Sequence, residues 1–170
     1  MQVFDAIRTK RAIRQFKHQP LPEQVVDDIL YAGRRAQSSK NSQPWHFVAV
    51  QDKDRLQALS QCGHFAAHLA GAALGVAILT PDPDQRFSIM FDAGQAAAYM
   101  QLAAWDRGVG SCLATIYDPE KVRDLLGFPG DLHVRIAISF GYPLEQAKIT
   151  QPPQSGGRRA AAEVVHWETW

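Results

Sequence analysis

This chain has few of the residues from which the commonest sites are built. Only two of its 170 residues are cysteine, Cys62 and Cys112. Two thiols give neither a disulfide framework nor a cluster of metal-binding thiolates, and they suit a reducing cytoplasm. No apolar run approaches the roughly 18 residues needed to cross a bilayer, the longest extending only from Ala70 to Leu79. The first residues, Phe4-Asp5-Ala6-Ile7-Arg8, read as a helix start and not as the apolar core of a signal peptide. An excess of one charge is missing as well. The formal net charge is +1, which points away from nucleic acid and anionic membrane as partners. There is no Gly-x-Ser-x-Gly elbow, and Gly108-Val109-Gly110 lacks the third glycine of a dinucleotide fingerprint. His64 and His68 have the spacing of two ligands on one helix face. No glutamate follows His64 and no third ligand is near, so they read as surface or interface histidines with no metal.

What remains is an ordinary folded composition, 46% hydrophobic and 21% charged. It fits one domain over residues 1–170 with a genuine core. Residues 2 to 10 form a short helical pattern with Val3, Phe4 and Ile7 on one face. Pro22 can open a second helix, in which Val25, Val26, Ile29, Leu30, Gly33 and Ala36 recur at helical spacing. Phe47 to Val50 reads as a strand and Lys53 to Ser60 as a short helix. The small apolar residues of Ala72 to Thr80 suggest a strand buried on both faces.

Phe87 to Asp106 is the longest helical pattern, with Asp92 almost its only charge. A helix apolar on nearly every side needs cover on nearly every side, and in so short a chain a second subunit would supply it. Ser111 to Ala114 is a short strand, Asp118-Pro119-Glu120 starts a helix through Leu126, and His133 to Gly141 alternates as a strand. Gln151 to Gly157 reads as extended. It leads to Val164-Val165-His166-Trp167, a strand-like segment with nothing local to pair with. An arm over residues 151–170 reaching a partner subunit would resolve this.

Two stretches carry the chemistry. Lys10-Arg11-Ala12-Ile13-Arg14-Gln15-Phe16 places three cations in five residues. Ser38-Ser39-Lys40-Asn41-Ser42-Gln43-Pro44-Trp45-His46-Phe47 packs hydroxyl and amide groups into a loop before an aromatic strand. Pro44 biases Gln43 away from helix, so Gln43 is expected to be extended. Taken singly, such cations are ordinarily solvated, and Ser and Asn are common in loops for local reasons.

In order and number, these stretches resemble those of the nitroreductase family of FMN-dependent oxidoreductases. Further echoes lie at Gly108-Val109-Gly110-Ser111-Cys112, at Gly141-Tyr142-Pro143, and in the tail from Arg159 to Glu163-Val164-Val165-His166-Trp167. The resemblance implies an α+β fold: a mainly antiparallel central sheet flanked by helices, in a homodimer with exchanged C-terminal arms and FMN at the interface. It places Lys10, Arg11 and Arg159 at the phosphate, with Arg158 a surface residue. Ala12 stands where a hydroxyl is usual, and Gly157 where a lysine is. Each lost charged hydrogen bond would cost roughly 1.5–3 kcal/mol.

The resemblance further places Arg14 by the flavin's pyrimidine edge, where charge grows on reduction. Ser38, Ser39 and Asn41 would reach the partner's flavin, and the backbone of Leu113, Ala114 and Thr115 would meet the ring. The implied reaction is two-electron transfer from NADH or NADPH, through FMN, to a small-molecule acceptor such as a nitroaromatic or quinone. Only Pro81 to Arg86 separates the buried strand from the long helix, which leaves the flavin without a lid. The alternatives are a specialised oxidase or dehydrogenase acting on a biosynthetic intermediate, and a flavin-binding or redox-sensing protein without turnover.

Overall fold

A computed structural model of the chain describes residues 1–151 and 157–170; most of the expected extended run from 151 to 157 lies outside them. Four strands form one antiparallel sheet: β1 (His46–Val50), β2 (Leu74–Thr80), β3 (Gly110–Thr115) and β4 (His133–Gly141), in the order β1-β2-β4-β3. Strand β2 is buried along its whole length, as expected for an interior strand packed on both faces.

Five helices surround the sheet: α1 (Val3–Thr9), α2 (Glu23–Arg34), α3 (Lys53–Leu59), α4 (Ser88–Asp106) and α5 (Pro119–Leu126). Their starts follow from local chemistry. Pro22 sits at the cap of α2 with a helix-like φ of −57°. The Asp52 carboxylate accepts from Arg55 N–H at 2.9 Å and that of Asp118 from Lys121 N–H at 3.1 Å, each replacing a bond the first turn cannot make. Helix α5 stops at Gly127, whose φ of +69° is left-handed.

On one face, α2 and α4 cover the sheet through Ile29, Met100, Ala96, Ala97, Val76, Ile138 and Phe140. Gly33 permits that closeness, since a Cβ there would lie 2.2 Å from Met100 Cε. On the other face α3 and α5 pack Leu56, Leu59 and Val122 over Ala77, Val134 and Ala137. Helix α1 is tied to α4 by Trp105 Nε1–H donating to Thr9 Oγ1 at 2.9 Å.

Only one face of α4 is covered. Ala93, Ala96, Ala97, Met100 and Trp105 are buried, whereas Phe87 is 89% and Phe91 72% exposed, with Met90 and Tyr99 beside them. Phe4 and Ile7 of α1 and Trp167 and Trp170 of the tail are exposed too. No helix among the described residues is long and apolar enough to cross a membrane.

Two expectations are corrected here. Val164 to Trp167 is not a strand: a 3-10 turn spans Ala161–Glu163 and the chain then bends without entering the sheet. Strand geometry needs an edge to pair with, and within the protomer this segment pairs with neither edge strand, β1 nor β3. His64 and His68 do not share a helix. His64 lies in a turn, and His68 is buried in the 3-10 turn Ala67–Leu69.

Candidate functional site

The site begins at the outer edge of β3. Ile116 N–H donates inward to Arg135 O at 2.9 Å, while Ser111 O faces outward and accepts Ile13 N–H at 2.9 Å. Backbone groups alternate sides along a strand, so the N–H and C=O groups of Leu113 and Thr115 also face outward. Neither N–H has a hydrogen-bond partner among the described residues.

Two segments flank this opening. On one side Ala12 pairs with Ser111 as an isolated parallel bridge. Gly110 lets that segment approach, because a Cβ there would sit 2.6 Å from Ile13 Cβ. On the other side Tyr117 N–H donates to Cys62 O at 2.8 Å. Arg14 and Gln15 from the first flank and His64, Phe65, Ala67 and His68 from the second line an open cavity of about 560 Å³.

Cations gather at the first flank. Lys10 is half-buried, and its ammonium donates to Gln101 Oε1 on α4 at 3.1 Å. Burial pushes the Lys10 pKa below its ordinary value; Cys112 opposes the shift and the Arg158 cation adds to it. Arg14 is exposed, and its charge acts on the buried Cys112. Burial raises the Cys112 thiol, while the Arg14 and Lys10 charges and a hydrogen bond from Arg14 pull it back. Both tail arginines, Arg158 and Arg159, are exposed, and the charge of Arg158 is the one that acts on Lys10. Arg11 is engaged elsewhere, donating to Lys148 O and, at 2.8 Å, to Gln151 O. Ala12 serves the site through its backbone.

The Ser38–Gln43 loop stands over α4. Ser38 is half-buried, and Ser39 and Asn41 are exposed. Lys40, Asn41 and Gln43 have φ of 54°, 53° and 46°. Left-handed backbone costs a residue such as Lys40 or Gln43 roughly 1–2 kcal/mol, and asparagine bears it more easily. The expectation that Gln43 is extended is thus corrected. Proline excludes the right-handed region but leaves the left-handed one open, and Ser38 Oγ captures Gln43 N–H at 2.9 Å. Arg86 Nη2 donates to Ser42 Oγ at 2.9 Å. The Asp92 carboxylate, only 2% exposed, accepts Ser39 N–H at 3.1 and 3.2 Å.

Asp92, Gln101 and His68 are contacts that motif reading missed. For Asp92 a signal was present, as the lone charge within an apolar helix. His68 is a correction as well, since it is buried and not at the surface. Its Nδ1 lies 2.7 Å from Ser139 Oγ, and Nε2 has no partner among the described residues. Burial lowers the His68 pKa, the Leu113 carbonyl opposes this, and Arg14 reinforces it. No group of three or more potential metal ligands occurs among the described residues.

This arrangement suits a flat anion: cations at one end, free backbone donors along one edge, and an open cavity beside them. A model of the nitroreductase family matches residues 7–62 and 60–142. A putative NADH dehydrogenase/NAD(P)H nitroreductase of Archaeoglobus fulgidus is 28% identical over 171 residues, covering 96% of each chain. Among solved structures, an FMN-dependent nitroreductase from Clostridium difficile superposes with a TM-score of 0.84 at 28% identity, over 98% of this chain and 99% of its own. Nitroreductase A from Vibrio parahaemolyticus gives 0.86 at 26% identity, over 100% and 77%.

Proposed function

The chain belongs to the nitroreductase family, and from that premise we propose that it is an FMN-dependent oxidoreductase. It passes two electrons from NADH or NADPH to an oxidised small-molecule acceptor such as a nitroaromatic or a quinone. The observation that carries this reading is the outer edge of β3, where the N–H groups of Leu113 and Thr115 have no partner among the described residues, flanked by the cavity-lining Arg14 and the half-buried Lys10.

FMN fits this set. Lys10 and Arg158 repel each other, and a phosphate placed between them would turn that repulsion into paired, charge-assisted hydrogen bonds. The N–H groups of Leu113 and Thr115 suit the acceptor atoms of the ring. Bound there, FMN would supply the hydride chemistry, with the protein providing position and charge.

The residues divide the work. Lys10 would hold the phosphate, with the tail arginines, Arg158 foremost. Arg14 would lie at the pyrimidine edge and favour negative charge on it. Ser38, Ser39 and Asn41 would serve the flavin of a partner subunit in a homodimer. The exposed side of α4 supports that dimer, because Phe87, Phe91 and Tyr99 form an apolar face of the kind a second copy covers.

The test is an anaerobic titration of purified protein with FMN, then stopped-flow mixing with NADH and with NADPH. A yellow complex that bleaches rapidly with one donor and recovers on adding a nitroaromatic or quinone is expected. Protein that gains no flavin absorbance defeats the reading. Flavin that binds but stays oxidised with both donors would leave a binding protein without turnover.

A further inference from the structure

Asp92 is the only formal charge on α4 before its last residue. It is 2% exposed, and no cation lies within salt-bridge distance among the described residues. Both of its oxygens face one donor, the backbone N–H of Ser39. A buried, unpaired carboxylate is a costly way to accept one bond, and packing alone would be served by an apolar residue.

The placement of that bond accounts for the cost. Ser39 is the first residue of the 3-10 turn Ser39–Asn41, and Lys40, Asn41 and Gln43 follow it in left-handed backbone. A strained loop persists only where surrounding contacts over-determine it. Asp92 supplies the one carboxylate among those contacts, and it does so from beneath, off a rigid helix. The rest are Ser38 Oγ, the Gln43 amide and backbone bonds within the loop, and Arg86, which is exposed.

We propose that Asp92 is a positioning residue: its carboxylate, through Ser39 N–H, holds the Ser38–Gln43 loop in the conformation that presents Ser38, Ser39 and Asn41 to flavin. Neighbouring residues on the same helix, Phe91 and Gly94, are exposed on the face assigned to the partner copy. One rigid element thereby sets both the dimer contact and the height of the loop. The functional half of this assignment rests on the flavin role given to the loop above.

The experiment compares wild type, Asp92→Asn, Asp92→Ala and Ser39→Pro, with Ser39→Ala as the control for the lost hydroxyl. Proline removes the N–H that Asp92 holds, and Ser38 already has the extended backbone (φ −147°, ψ 154°) that a following proline demands. Amide hydrogen exchange is read on flavin-free protein, and FMN affinity by fluorescence titration.

Asp92→Ala is expected to speed exchange of the 40–43 amides at least tenfold, leave the β2 amides unchanged, and weaken FMN at least tenfold. Asp92→Asn keeps an acceptor oxygen and should fall between. Ser39→Pro should match Asp92→Ala beyond the effect of Ser39→Ala, and combining the two should add little. Should Asp92→Ala fail to fold, Asp92→Asn and Ser39→Pro carry the same comparison. Loop exchange and FMN affinity within twofold of wild type in these variants would overturn the proposal, as would faster exchange with unchanged FMN affinity. If wild type itself takes up no FMN, it is the flavin reading that fails; the exchange arm still decides whether Asp92 holds the loop.

Discussion

Replacing Arg14 with methionine should make the bound flavin harder to reduce. The guanidinium lies beside Cys112 at the head of the open cavity, where it also lines the wall. Negative charge grows on the ring only in the reduced state, so losing the cation destabilises that state selectively. A charge-assisted hydrogen bond is worth roughly 1.5–3 kcal/mol. At about 1.4 kcal/mol per 30 mV for a two-electron couple, this corresponds to a shift of roughly 30–65 mV to more negative potential. Arg14 is exposed in the protomer, and solvent screening weakens exposed charges. The low end, near 30 mV, is therefore expected unless a partner subunit dries the site. Arg14→Lys keeps the charge and should move the potential much less. Anaerobic redox titration of the flavin-loaded proteins against a reference dye reads these shifts. Indistinguishable midpoints for wild type and Arg14→Met, or a shift to positive potential, would refute the electrostatic role and leave Arg14 a structural cation.

Arg158→Ala should weaken FMN more than Arg159→Ala does, because Arg158 is the tail cation acting on Lys10; equilibrium dialysis ranks the two, and midpoint potentials should barely move. Phe91→Glu, on the uncovered side of α4, should shift the protein to monomer in light scattering and reduce flavin retention at least tenfold. His68 contributes an acid-side instability. Its folded pKa lies below the unfolded value near 6.5, so the unfolded chain binds its proton first and stability is lost as pH falls through that range. Denaturant titrations of wild type and His68→Asn between pH 7 and 5 should show a shallower pH slope in the variant, and equal slopes would remove His68 as the cause.

Much of this fold was legible because period, caps and punctuation agree. Pro22 and Asp118 mark helix starts, and the unbroken apolar run of β2 announces a strand with no solvent face. The cation-rich stretch and the Ser38–Gln43 loop stood out as a candidate site for a similar reason, since ordered motifs fix which residue types appear. What could not be read is whatever depends on three-dimensional company. Arg11 and Arg14 look alike in sequence, yet the first is occupied by the carbonyls of Lys148 and Gln151 and the second faces the cavity. Histidines four apart imply a helix only if a helix is there, and Gly63 opens a turn instead. Proline before an aromatic strand forbids one backbone region to Gln43 without choosing between the other two. That choice falls to Ser38.

The short open length of β3 has a meaning for the cell that bears on neither electron transfer nor binding strength. Unpaired strand edges recruit other chains, and here the N–H groups of Leu113 and Thr115 face outward without a partner among the described residues, although Gly63 packs against the Thr115 carbonyl. A cofactor laid along that edge, as proposed above, would also be a cap against such pairing. If flavin lies there, chains made while flavin is scarce would leave that edge bare, and the yield of soluble protein is expected to rise when flavin is supplied during expression. The same variants that release the cofactor should fill inclusion bodies, with no loss of stability in the sheet itself.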